Sequence, residues 1–128
     1  MAMDLTAAKP TVFLATSNAK ASRKFYSETL GLTLELDDEY ALVYQISGTE
    51  LRISKVPNHQ PLPFTVLDWQ VSSIDEAYEL LVAKGVGFVV FEGMGQDDRG
   101  VWSSGDGKAK ILWFKDPDGN VLSVSQRS

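Results

Sequence analysis

Phe114-Lys115-Asp116-Pro117-Asp118-Gly119-Asn120-Val121-Leu122-Ser123-Val124-Ser125-Gln126 is the stretch whose reading decides the fold. Pro117 presets φ for the first central position of a turn, Asp118 suits the second, and Gly119 can take the left-handed conformation that closes a short loop. The residues at 111–114 and 121–125 on either side have β-type composition, so the stretch predicts a strand, a tight turn and a strand. If the last strand is paired centrally, it sets the register of everything upstream.

Working back from the hairpin, Gly105-Asp106-Gly107 marks another turn, Val101-Trp102 a short apolar pair, and residues 92–100 a polar, glycine-rich loop. Residues 87–91 are expected to form a strand. Ser73-Ile74-Asp75-Glu76 is a capping box opening a helix whose apolar stripe is Ile74, Ala77, Leu80 and Leu81, and Gly85 closes it. Residues 64–71 read as the strand before that helix.

The same order occurs once before. Residues 11–16 read as a strand and Ser17-Asn18 as an N-cap. Residues 19–30 follow as a helix with Ala21, Phe25 and Leu30 on one face, and Gly31 ends it. Strands are expected near 33–36, 40–46 and 50–55. The pairs Thr11/Thr65 and Gly31/Gly85 are each about 54 residues apart, the mark of an internal duplication. One strand–helix–three-strand unit leaves a bare apolar sheet face, whereas two can bend into a half-barrel covered by two helices. The expectation is therefore a single α+β domain over residues 1–128, built as two tandem βαβββ modules around a half-barrel cleft. Module 1 spans 11–55, the Pro-rich linker 56–63 and module 2 64–126, with a loose leader at 1–9.

Composition narrows the partners. A net charge of −5 over 128 residues argues against nucleic acid, whose phosphates need a basic patch. The absence of cysteine excludes disulfides, thiolate catalysis and Cys-ligated zinc. No apolar run reaches membrane-spanning length, and Met1 to Pro10 has no apolar leader core, so a cytoplasmic location without membrane contact is expected.

At this point the motifs carry a resemblance. Phe25-Tyr26-Ser27-Glu28-Thr29-Leu30-Gly31-Leu32 after the first strand resembles the FYxxxLGL signature of the vicinal oxygen chelate superfamily, and the DPDGN turn at 116–120 resembles its C-terminal signature. That superfamily includes glyoxalase I, extradiol dioxygenases, and the fosfomycin- and bleomycin-resistance proteins. The linker and the Phe64-Thr65-Val66-Leu67 run are similar to those of a glyoxalase-like subgroup. The resemblance spans residues 11–126 and implies the fold more than an activity, since one fold hosts many chemistries.

Metal-dependent members hold their ion with His, Gln or Glu on cleft-lining strands. Carried over, those positions fall at Thr11, Arg52, Val66 and Ser123. None is an ordinary ligand for a divalent cation, and a guanidinium brings positive charge with no lone pair to donate. A register change of one residue would offer only Glu50 or Asp68. No metal and no other cofactor is expected. Asp116, Asp118 and Asn120 imitate the start of a calcium loop, but Val121 stands where glycine is required and Arg127 at the twelfth position.

Strand alternation places Thr11, Phe13 and Ala15 on the cleft side, with Glu50, Arg52 and Ser54, with Val66, Asp68 and Gln70, and with Val121, Ser123 and Ser125. The bland reading of Arg52 and Asp68 is an ion pair with each other, or of Arg52 with Glu50. Trp102, in a polar loop, suits a lid stacking on a flat ligand or else a sheet-edge cap, and Trp113 lines the same region. Trp69 is expected in the core. His59, alone in the linker, is either a base or simply exposed. The candidate ligand-binding residues are thus Phe13, Arg52, His59, Asp68, Trp102, Trp113 and Ser123, with catalytic residues unassigned.

Three functions fit. The leading one is a metal-free binding protein for an aromatic or cationic small molecule, similar to the bleomycin-resistance type. The second is a glyoxalase-like lyase or isomerase, or a dioxygenase-related enzyme, working through Arg52, Asp68 and His59. The third is a non-catalytic partner-binding module. The resemblance implies a homodimer, with exchange of modules allowed by the linker.

Overall fold

The computed structural model describes residues 2–128. Residues 2–9 lie on the surface with one 3₁₀ turn, Leu5–Ala7, capped by the Asp4 side chain; Met1 of the expected leader lies outside the described residues. Strand β1 (Thr11–Thr16) leads into helix α1 (Ala19–Lys24), whose N-cap Asn18 accepts from the Ala21 N–H at 3.1 Å. Residues 19–30 were expected to form one regular helix. Instead Phe25–Thr29 is a π-helical turn, in which the Leu30 N–H reaches back to the Phe25 carbonyl at 2.9 Å. Apolar spacing does not register a one-residue expansion of this kind. Its effect is local: Tyr26 is completely buried and packs against Tyr44, with ring centroids 5.9 Å apart. Gly31, at φ +73°, ends the segment where a side chain would be strained.

Strands β2 (Thr33–Asp37), β3 (Ala41–Ile46) and β4 (Thr49–Lys55) complete the first module, in the sheet order β1-β4-β3-β2. The second module repeats this with β5 (Thr65–Gln70), α2 (Ile74–Ala83), β6 (Trp102–Ser103), β7 (Ala109–Lys115) and β8 (Val121–Arg127), in the order β5-β8-β7-β6. The first strand of each module runs parallel to its last, and the remaining pairs are antiparallel. The architecture is α+β, two open four-stranded sheets in tandem βαβββ modules with no closed barrel. No described helix is long and apolar enough to cross a membrane.

The expected strand at 87–91 is reduced to a single bridge, Phe88 to Phe114, plus a hydrogen bond from the Val89 N–H to the Trp113 carbonyl at 2.9 Å. Farther along β7 the outer place is taken by β6. The cause is Gln96, whose side chain donates to the Val89 and Gly100 carbonyls at 2.9 and 2.7 Å and accepts from the Phe91 N–H at 2.7 Å. Those backbone groups close a loop on themselves instead of extending a ladder. In α2, Ile74, Ala77 and Leu81 are buried, while Leu80 is 61% exposed. The apolar stripe is therefore narrower than its spacing suggested, because successive helical residues turn by about 100°.

Leu14, Tyr26, Leu42, Tyr44, Leu51 and Ile53 of module 1 form one continuous core with Ile74, Leu81, Leu112, Phe114, Leu122 and Val124 of module 2. All of these lie on the helix-bearing sides of the sheets, so the modules are joined through those sides. The 116–120 turn clasps them at the end of β1. Asp116, buried, accepts from the Tyr26 hydroxyl at 2.7 Å, the Asn120 amide at 2.8 Å, and the backbone N–H groups of Asp118 and Asn120 at 2.9 Å. Asp118 accepts from the Thr16 hydroxyl at 2.5 Å and the Ser17 N–H at 2.8 Å, and the Asn120 amide donates to the Ala15 carbonyl at 2.9 Å. Gly119 adopts φ +88°, and a Cβ there would lie 3.2 Å from Pro61 of the linker. The turn thus requires glycine for both conformation and space.

Candidate functional site on the helix-free faces

Register and alternation sort the predicted residues into two groups. On the helix-free face of the first sheet, Phe13, Arg52 and Val43 stand in one cross-strand row, continued by Leu36. Thr11, Glu50 and Gln45 form the next row, and Ala15, Ser54 and Ala41 the one beyond. Phe13 is 63% exposed, whereas Leu14, pointing the other way, is in the core. This is the alternation expected for β1.

The corresponding face of the second sheet carries Asp68, Ser123 and Trp113 in one row, with Gln70, Ser125, Ile111 and Trp102 in the next. Asp68 is exposed and accepts from the Ser123 and Ser125 hydroxyls, each at 2.6 Å. Two short donors hold the carboxylate in one orientation. The Trp113 indole N–H donates to the Thr65 hydroxyl at 3.1 Å, and Phe91 meets the Trp113 ring edge-on with centroids 5.3 Å apart. Trp102 belongs to a strand rather than to a free loop, which leaves Phe91 as the aromatic closing over this face.

Val66 departs from the expected face. The pairing of β5 with β8 shifts between Thr65 and Leu67, so Val66 is an extra, bulged residue, and it packs against the core. The same bulge brings Asp68 into line with Ser123. Composition carries no mark of it. Ser125 could be found by alternation from Ser123; Phe91, in an irregular loop, had no signal.

The expected ion pair of Arg52 is not formed. The ion pairs among the described residues are Arg23–Asp37, Lys55–Asp37, Arg99–Asp75 and Arg99–Asp97. No hydrogen bond or ion pair among the described residues joins Phe13 or Arg52 to the Asp68 group. His59 is neither bare nor near either group of side chains by contact: its Nε2 is 2.7 Å from Asn120 Oδ1, at the clasp between modules. Trp69 stacks on Phe114 as a core residue, with centroids 6.3 Å apart. An apolar cavity of about 490 Å³ lies on the other side of the second sheet, between Leu30, Trp69 and α2, and none of the candidate ligand-binding residues lines it.

The sequence matches the Glyoxalase/Bleomycin resistance protein/Dioxygenase superfamily over residues 9–124. The chain belongs to that superfamily. Among solved structures it is similar to a fosfomycin resistance protein from Listeria monocytogenes, with a TM-score of 0.73, 14% identity, and coverage of 95% of this chain and 94% of that one. A glyoxalase/bleomycin resistance protein/dioxygenase from Nocardioides gives a TM-score of 0.68 at 23% identity, covering 96% and 87%. Lactoylglutathione lyase from Agrobacterium tumefaciens gives 0.69 at 15% identity, covering 94% and 93%. At these identities the likeness is one of fold. Among curated proteins no sequence match is found.

The superfamily's metal-holding positions do not fit a divalent cation in this chain. Thr11 heads a strand beside Glu50, Val66 is turned to the core, Ser123 is committed to Asp68, and Arg52 is a cation. Among the described residues, no three side chains of His, Cys, Asp or Glu converge.

Proposed function

We propose that the chain is a small-molecule binding protein of the bleomycin-resistance and glyoxalase-like kind, working in the cytoplasm without a metal. Its ligand is flat and carries a cationic group. The observation that carries this reading is Asp68: an exposed carboxylate, oriented by two hydroxyls at 2.6 Å, in one row with Trp113 and with no cation paired to it among the described residues. Trp102, half-buried in the neighbouring row, offers π surface for a planar body over the buried Trp113, and a cation beside an aromatic face and a carboxylate is held by both. The working unit is a homodimer. Support comes from the joining of the modules through their helix-bearing sides, which leaves both helix-free faces of one chain for a second copy to close.

Titration with benzyltrimethylammonium, followed by tryptophan fluorescence, tests the reading. Saturable quenching is expected, at least tenfold weaker in Asp68→Asn, together with a two-chain mass in light scattering. Equal affinity in wild type and Asp68→Asn, or no response to any of a panel of flat cations, would sink it.

A further inference from the structure

At one of the four positions that do not fit a metal, the chain supplies a positive charge of its own. We propose that the helix-free face of the first sheet is an oxyanion site, in which the Arg52 guanidinium directly takes a planar carboxylate. This deepens the reading above, with which it shares the helix-free faces as the ligand surface.

Donor accounting comes first. A guanidinium has five N–H donors in a rigid planar fork and never loses its charge at working pH. Arg52 is half-buried, yet it is in no hydrogen bond or ion pair among the described residues. Arg23 and Arg99, on the outside of the molecule, both hold carboxylates. Arg52, on a strand inside its sheet, has no such partner among the described residues.

Its surroundings favour a ligand over bulk water. Phe13 and Val43 flank it in the same row, and Leu36 extends the apolar rim. A charge-assisted bond at such a rim is stronger than one in open solvent. The acidic groups near Arg52 include Glu50, one row away on the same strand and sharing a cavity of about 210 Å³ with Asp68, and Asp38, at the turn between β2 and β3, which feels the Arg52 charge without touching it. Asp38 is already occupied by the N–H groups of Tyr40 and Ala41. Neither cancels the guanidinium by contact.

The geometry also selects the ligand's shape. The fork matches two coplanar oxygens, and the exposed Phe13 ring beside it suits a flat apolar body attached to them. The class is therefore an aromatic or otherwise planar carboxylate. A ligand reaching both faces would be a flat zwitterion, its anion on Arg52 and its cation on Asp68.

The probe is 4-fluorobenzoate, followed by fluorine NMR on the full-length protein at low salt. Wild type is expected to bind it, and to bind the neutral 4-fluorobenzamide at least tenfold more weakly. Arg52→Gln should lose at least tenfold in benzoate affinity, and Arg52→Lys, which keeps charge without the fork, should fall between. Thermal unfolding of each variant checks that the sheet is intact. A failed response to benzyltrimethylammonium beside intact benzoate binding in wild type would remove only the Asp68 reading. No benzoate binding in wild type, or equal binding in Arg52→Gln, overturns the oxyanion site. So does an Arg52→Gln variant that loses its dimeric mass while wild type ignores benzoate, since Arg52 would then be an interface ion-pair residue.

Discussion

Tyr26 and Asp116 show how one hydroxyl ties two modules together. Burial drives the Tyr26 phenol far above its ordinary range, and the Asp116 charge pushes in the same direction. The hydroxyl therefore stays protonated and donates throughout the neutral range. Because the folded value is raised, this contribution is fully present below the unfolded tyrosine value of about 10 and is lost as pH climbs toward the folded value. Tyr26→Phe removes a buried hydrogen bond to a charged group, and a loss of about 1.5–3 kcal/mol is expected. The measurement is the urea midpoint at neutral pH with an unchanged denaturant slope. A midpoint equal to wild type would show that Asn120 and the two backbone donors alone suffice for Asp116. Both residues were visible beforehand as parts of motifs. Their bond was not, because 90 residues separate them and no local pattern encodes a contact across that distance.

At the scale of elements, the loop between α2 and β6 is held by side chains standing in for a ladder. Arg99 pairs with Asp75 of α2 at 2.6 Å and lies over the Tyr78 ring at 5.4 Å, which in turn stacks on Phe88. Asp97 accepts from the Val101 and Arg99 N–H groups, each at 2.9 Å. Burial opposes the Asp97 charge, but these bonds and the Arg99 charge outweigh it and hold the carboxyl below its ordinary range. The folded value lies below the unfolded one, so the stabilisation is present above about pH 4 and is lost as pH falls through the depressed value. The protection factor of the Val101 amide should therefore fall in acid, and Asp97→Asn should abolish that dependence. Unchanged protection down to pH 2 would mean that Gln96 alone holds the loop. Loop composition and both flanks were legible in the sequence. The replacement of a strand by a Gln96-centred turn was not, since a lone glutamine has the same signature on any surface.

For the whole molecule, the consequence of a shared core is that neither module is a folding unit. Leu14, Tyr26 and Ile53 are buried in one cluster with Leu81, Leu112 and Phe114, and a module cut free would expose half of that surface. Units of this size bury too little apolar area to offset chain entropy by themselves. Residues 64–128 expressed alone should show no cooperative thermal transition and no native near-UV signal, and mixing with residues 1–63 should restore both. A cooperative transition in the isolated half would show that the interface between modules is accessory.

By itself the sequence determined the α+β fold of two βαβββ modules, the 116–120 turn and the superfamily. These rest on short-range signals: caps, turn chemistry, residue alternation and motifs a few residues long. Only the tertiary structure decided the π-helical turn that buries Tyr26, the bulge that turns Val66 inward and aligns Asp68 with Ser123, and the role of His59 at the clasp. It also decided that the modules join through their helix-bearing sides, leaving Arg52 and Asp68 unpaired with each other. Those outcomes depend on which of two amphipathic faces buries more apolar surface against a distant part of the chain, a comparison of long-range packing energies that no local pattern contains.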